Sequence, residues 1–241
     1  MRIYQPIAGL CLAALLSACG GGGEGESISV PPTASTTTFP LATVMANYVN
    51  ERKSSPVSLS GTATASGQNI SVTGSATLSE AMTSSTFEGA PALRKTSTLT
   101  GTLDLLGDKF PIADTSAFFF DTNYSPLGRI AANNYCVVTS KTPIPVTVRI
   151  GDNGNWFAAT CYTSSSKLTR VGGSNVSYAI EPDGASTALM KIVYRAVDAA
   201  GNNLTSTETY RVTIFGAVTR VGEVGFLSQN GVTFSYVGQY Q

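Results

Sequence analysis

From residue 57 onward the chain alternates. Val57, Leu59, Gly61 and Ala63 fall on one set of positions and Ser58, Ser60, Thr62 and Thr64 on the other. Beyond a Ser66-Gly67-Gln68 turn, Ile70, Val72, Ala76 and Leu78 repeat the period. A two-residue period places successive side chains on opposite faces of a strand. Similar runs cover residues 96–106, 155–162, 175–180, 188–197, 204–215 and 231–237. Turn-forming residues lie between them: Gly107-Asp108, Asp152-Asn153-Gly154, Asp183-Gly184, residues 198–203 and Asn230-Gly231. The pattern predicts about ten to thirteen strands with short connections, hence a mainly β, mostly antiparallel domain. One face packs and the other is wet, with Ser and Thr doing the work that charge does elsewhere.

One segment breaks the alternation. Leu41, Val44, Met45, Tyr48, Val49 and Arg52 recur at helical spacing after Pro40, and Ser54-Ser55-Pro56 ends the run. This predicts a helix whose apolar stripe packs on the sheet. No composition break divides residues 39–241, so they read as a single β-rich domain: a curved sheet or half-open barrel with the short N-terminal helix against it, or alternatively a β-sandwich.

The N-terminus differs in kind. Met1-Arg2 precedes an apolar stretch over residues 7–16, followed by Leu16-Ser17-Ala18-Cys19. Ten apolar residues cannot cross roughly 30 Å of hydrocarbon as a helix, but they suit the core of a signal peptide. An ordinary secretory signal cut after Ala18 and a buried helix are the alternatives. Small residues before a cysteine resemble the bacterial lipobox, at which the thiol is acylated and the chain is cut. The resemblance implies a signal peptide over 1–18, a lipid on Cys19, and a membrane held through that anchor. Gly20, where an Asp would favour inner-membrane retention, implies the outer membrane. Residues 20–38 lack apolar periodicity and read as a flexible tether.

Four cysteines are present. Cys11 leaves with the signal and Cys19 carries lipid, so Cys136 and Cys161 remain, in an exported chain, and read as a disulfide. Residues 144–150 and 155–162 look like a hairpin. In a plain meander Cys136 would then lie two strands from Cys161, about 9–10 Å away, beyond the ~7 Å limit for a bridge. Residues 134–139 must therefore neighbour or face the 155–162 strand, with Pro143 and Pro145 in a crossing segment.

Composition narrows the chemistry. Lys+Arg and Asp+Glu are 15 each, histidine is absent, and only 12% of residues are charged, against about 25% on average. No basic excess exists to hold nucleic acid. Without histidine there is no Ser-His-Asp or Cys-His catalysis and no imidazole-bound metal. Ser164-Ser165-Ser166-Lys167 matches S-x-x-K, but no Lys-Thr-Gly strand accompanies it. Asp152-Asn153-Gly154-Asn155 resembles part of a calcium loop, yet Thr163 stands where its last acid belongs. Asp104, Asp108, Asp114 and Asp121 form the densest acidic stretch, from which a hydrolytic carboxylate pair could be drawn. Phe118-Phe119-Phe120 must point to both faces of a strand, so either both faces are buried or Phe118 and Phe120, with Tyr124, line an apolar ligand groove.

Short pieces resemble a group of uncharacterised bacterial envelope lipoproteins: Ser60-Gly61-Thr62, Thr100-Gly101-Thr102, Thr86-Phe87-Glu88-Gly89, and residues 121–128. The resemblance implies a location and no chemistry. The expectation is an outer-membrane lipoprotein, without cofactor or catalytic activity, that binds an envelope protein, glycan or lipid or has a structural role. A carrier of acyl chains in a half-barrel and a carboxylate-dependent hydrolase are the alternatives.

Overall fold

The computed structural model describes residues 36–131, 134–229 and 231–241. The signal peptide and Cys19 lie outside the described residues. A two-residue strand β1 (Thr38–Phe39) leads into helix α1 (Leu41–Asn50). Four long strands follow: β2 (Ser54–Ala65), β3 (Gln68–Phe87), β4 (Ala90–Leu105) and β5 (Asp108–Phe120). Next come β6 (Pro126–Ala131), β7 (Asn134–Lys141), the short β8 (Val148–Arg149) and β9 (Asn153–Tyr162). The last five are β10 (Arg170–Pro182), β11 (Thr187–Asp198), β12 (Asn203–Thr213), β13 (Val218–Gln229) and β14 (Val232–Tyr240).

The antiparallel, mainly β domain with one short helix is as the alternation predicts. Its sheet goes further than a half-open barrel. Twelve strands, all but β1 and β8, form one closed barrel in which β14 pairs with β2 and β9 with β10. The outward positions of β2 and β3 are exposed Ser58, Ser60, Ser71, Thr73, Ser75 and Thr77, the wet face anticipated.

Closure explains the helix. Side chains just fill a barrel of about eight strands, and bore grows with strand number. Twelve strands leave a lumen too wide for side chains to close. α1 occupies one end of it, so it packs within the curved sheet. Leu41, Val44, Met45, Tyr48 and Val49 meet Phe120, Trp156, Val176, Ile180, Met190, Tyr210 and Val212 in the main core. Connections 121–125, 142–152, 183–186 and 214–217 surround this plugged end, while 66–67, 106–107, 163–169 and 199–202 surround the opposite end, the mouth. The helix stops at Asn50, before Arg52, because the chain must turn out to begin β2.

The cysteine geometry follows the distance argument. β7 pairs directly with β9, Cys136 opposite Cys161, with Cα atoms 4.0 Å apart and the sulfurs bonded. The expected 144–150/155–162 hairpin does not form. Residues 148–149 pair with β1 instead, because β7 takes the place beside β9. Pro143 and Pro145 lie in the segment that crosses the plugged end. On the outer wall, Phe87 at the tip of the β3–β4 hairpin folds back onto Phe119, Ala117 and Tyr135. Glu88 beside it accepts from Tyr135 and pairs with Lys167.

Candidate functional site: the barrel lumen

Strand parity aims a set of charged residues inward. Glu80 continues the inward series Val72, Ala76, Leu78; Glu208 stands opposite Glu223 across β12 and β13. An irregularity in register beside Tyr210 brings Arg220 to the same layer. Its guanidinium donates to Glu208 Oε1 at 3.0 Å and Glu223 Oε2 at 2.8 Å, and lies 3.8 Å from Glu80 Oε1. Glu223 also accepts from Ser206, Tyr236 and Tyr240 at 3.1, 2.7 and 3.0 Å. Lys95, 1% exposed, closes the layer toward the helix. Its Nζ donates 2.6 Å to the Tyr48 carbonyl in the last turn of α1, where the helix dipole favours a cation. It also pairs with Glu80 at 3.2 Å and sits 4.0 Å from the centre of the Tyr48 ring.

The arrangement is a charged floor resting on the helix plug. Burial would raise Glu208, but the Arg220 charge and the Tyr210 hydroxyl outweigh it and hold this carboxyl below its ordinary range. Burial, reinforced by neighbouring carboxylates, drives Tyr48 well above the usual phenol value, and Tyr210 and Tyr240 rise mainly for the same reason. These tyrosines stay neutral donors. Glu51, just beyond α1, is raised by its partial burial, and its Oε2 has no hydrogen-bond partner among the described residues.

Above the floor the lumen is not filled. A cavity of about 110 Å³ is lined by Tyr48, Ser97, Asp114, Phe118, Arg129 and Tyr194 among others. Toward the mouth, the inward positions are Ile70, Leu103, Ile112, Leu204, Leu227 and Phe234, all only half-buried. At the plugged end the inward Met190 and Tyr210 are fully buried. A second cavity of about 320 Å³ lies between α1 and the crossing segment, lined by Met45, Ile144, Tyr178 and Met190. Trp156 and Ile192 line both cavities and form the partition between them.

Of the expected groove residues, Phe118 and Phe120 line the lumen, Phe118 beneath the Arg129 guanidinium at 5.2 Å. Tyr124 packs against the main core but does not line the lumen cavity. It sits in the 121–125 turn, where its hydroxyl accepts from Asn50 at the end of α1. The four aspartates do not converge either. Asp104 accepts from the Gly107 amide near the mouth, Asp121 caps a turn at the plugged end and pairs with Lys141, and Asp114 alone of the four lines the lumen. Asp152 also serves a turn, accepting from the Arg149 amide. No motif marks the floor residues in the sequence. The signal they carry is parity: a Glu in step with Val72, Ala76 and Leu78 must share their face.

Comparison of the chain with family models, with curated proteins and with solved structures finds no match.

Proposed function

We propose that this chain is a lipid-anchored protein of the bacterial envelope whose barrel holds an amphiphilic molecule, without transforming it. The apolar part lies among the mouth residues and the polar end reaches the charged floor. The observation that carries this reading is the asymmetry of the lumen: fully buried side chains around α1, half-buried apolar side chains toward the mouth, and between them a cavity against the hydrogen-bonded floor. Ligand sites are typically concave and largely apolar, with a few placed polar groups. The phenol protons of Tyr210, Tyr236 and Tyr240 and the Arg220 guanidinium are already given to the floor's own carboxylates. The base therefore keeps acceptor capacity for a donor head such as a hydroxyl, amide or ammonium-bearing zwitterion, and none for a bare anion. Acyl-chain amphiphiles fit this description, so the carrier reading is favoured over a purely structural one. Cys19, in a sequence that resembles a lipobox, supplies the anchor, and Gly20 supports the outer membrane. Glu80, Glu208 and Glu223 are each bound to cations or hydroxyl groups, and no observation favours using them as a hydrolytic pair.

Native mass spectrometry of protein purified from bacterial membranes tests the reading. Bound amphiphile is expected, and delipidated protein should bind a fluorescently labelled lysophosphatidylcholine, whose head is zwitterionic, saturably. Phe234→Arg in the mouth should weaken that binding at least tenfold while the far-ultraviolet spectrum is unchanged. Ligand-free protein in repeated preparations, together with no saturable binding, overturns it.

A further inference from the structure

The plugged end carries an apolar surface that no other part of the chain covers among the described residues. Phe215 is 85% exposed and Val146 75% exposed. They flank the same outward face of α1. The Ala42 amide donates to the Val146 carbonyl, and Gly216, next to Phe215, lies against Thr43 and accepts from Asn47. Ala42 and Thr43 between them are exposed, and Ile214 is 37% exposed beside Phe215. Two large side chains thus project from one end of the barrel on either side of an uncharged helix face.

Where the chain enters says what this surface meets. β1, directly before α1, pairs with β8 at this same end, with Thr38 opposite the exposed Arg149. Only residues 20–35 separate Cys19 from the described chain, a span of at most about 55 Å. The residues around this end carry both signs, Arg149 and Lys141 with Asp121, Asp152 and Asp183, so the apolar pair and the entry of the tether, rather than net charge, point to the bilayer. The mouth also exposes Leu106 and Phe110, but it lies a barrel's length from where the tether joins.

From this placement we infer that the plugged end is a membrane-docking face: Phe215 and Val146 enter the headgroup region of the anchoring bilayer, and the lumen opens away from it. The inference rests on the lipid-anchor reading and adds an orientation. It also constrains the ligand route. A cup that opens away from its own bilayer receives its amphiphile from across the aqueous space, not from the leaflet that holds it.

The test uses the full processed protein in vesicles of phosphatidylethanolamine and phosphatidylglycerol containing acyl-brominated lipid. Phe215→Trp and Leu168→Trp place reporters at the plugged end and near the mouth, with the unmodified chain giving the signal of its single, buried Trp156. Bromolipid should quench the added fluorescence at 215 at least twofold and leave that at 168 unchanged. No quenching at 215, or equal quenching at both positions, overturns the docking face. The mass of the N-terminal peptide separates the two ideas. Quenching at 215 with Cys19 unacylated discards the anchor and keeps the face; acylated Cys19 without quenching does the reverse.

Discussion

At the scale of single residues, stability should concentrate in one guanidinium. Arg220 is the cation common to Glu80, Glu208 and Glu223, and it also lies 4.6 Å from the centre of the Tyr240 ring. Removing one partner of a buried ion pair typically costs about 3–5 kcal/mol because the remaining charge is uncompensated. Arg220→Met should therefore lower unfolding stability by at least about 3 kcal/mol in urea titrations; a loss below 1 kcal/mol would mean that water reaches the three carboxylates. Glu208, held below its ordinary range, contributes stability above its unfolded pKa that is lost as pH falls through its folded one, so acid weakens this floor. Glu51 has the opposite sign. Its folded pKa is raised, chiefly by burial, so at pH 7 folding holds a charge it disfavours, and protonation relieves this as pH falls. Glu51→Gln should raise the thermal midpoint at pH 7, with the gain vanishing toward pH 4. A constant or negative difference across that range contradicts the assignment.

At the scale of elements, the glycines in Ser60-Gly61-Thr62 and Thr100-Gly101-Thr102 gain a reason. A Cβ on Gly61 would come 2.1 Å from the Ser235 carbonyl oxygen, and one on Gly101 2.2 Å from that of Ser75. These strands approach too closely for any side chain, as a sheet coiled tightly enough to close requires. Gly101→Ala should cost roughly 1–3 kcal/mol, the usual range for an overpacked interior; a neutral result in denaturant titration would show that β3 and β4 can separate freely. The β7–β9 pairing makes a second case. The bridge spans 25 residues, so its reduction should remove roughly 3–4 kcal/mol in the chain-entropy view, readable as a lower unfolding midpoint in reductant. Here the sequence was informative for a physical reason: a covalent bond has a length, and that length chose the neighbour of β9. Alternation likewise located most strands. It did not reveal β13, where Gly222, Gly225 and the inward Glu223 interrupt the apolar series. Nor could it distinguish a curved sheet from a closed one. Closure depends on a pairing between β2 and β14, some 170 residues apart, that no local pattern encodes.

At the scale of the whole molecule, the two ends of one barrel differ in how deeply their side chains are buried. The half around α1 has the main core; beyond the charged floor a smaller cluster of Val57, Leu59, Ala76 and Leu78 meets Leu103 and Ile112, which are only half-buried. Local stability follows buried apolar contact, so the halves should open with different free energies although one set of strands runs through both. In hydrogen exchange, amides of residues 188–192 and 210–212, beside Met190 and Tyr210, should be the slowest. Those of residues 68–70 and 103–105, on the same kind of ladder but beside exposed or half-buried side chains, should exchange markedly faster. An amphiphile seated in the mouth would bury the half-exposed side chains there. Its addition should slow the second group and leave the first unchanged, a pattern that simple global stabilisation cannot produce. If instead both groups exchange alike in the delipidated protein, the mouth is closed by its own side chains and the lumen has no room for a guest. If added amphiphile protects only the residues around α1, the occupied space is the cavity behind Trp156 and not the cup above the floor.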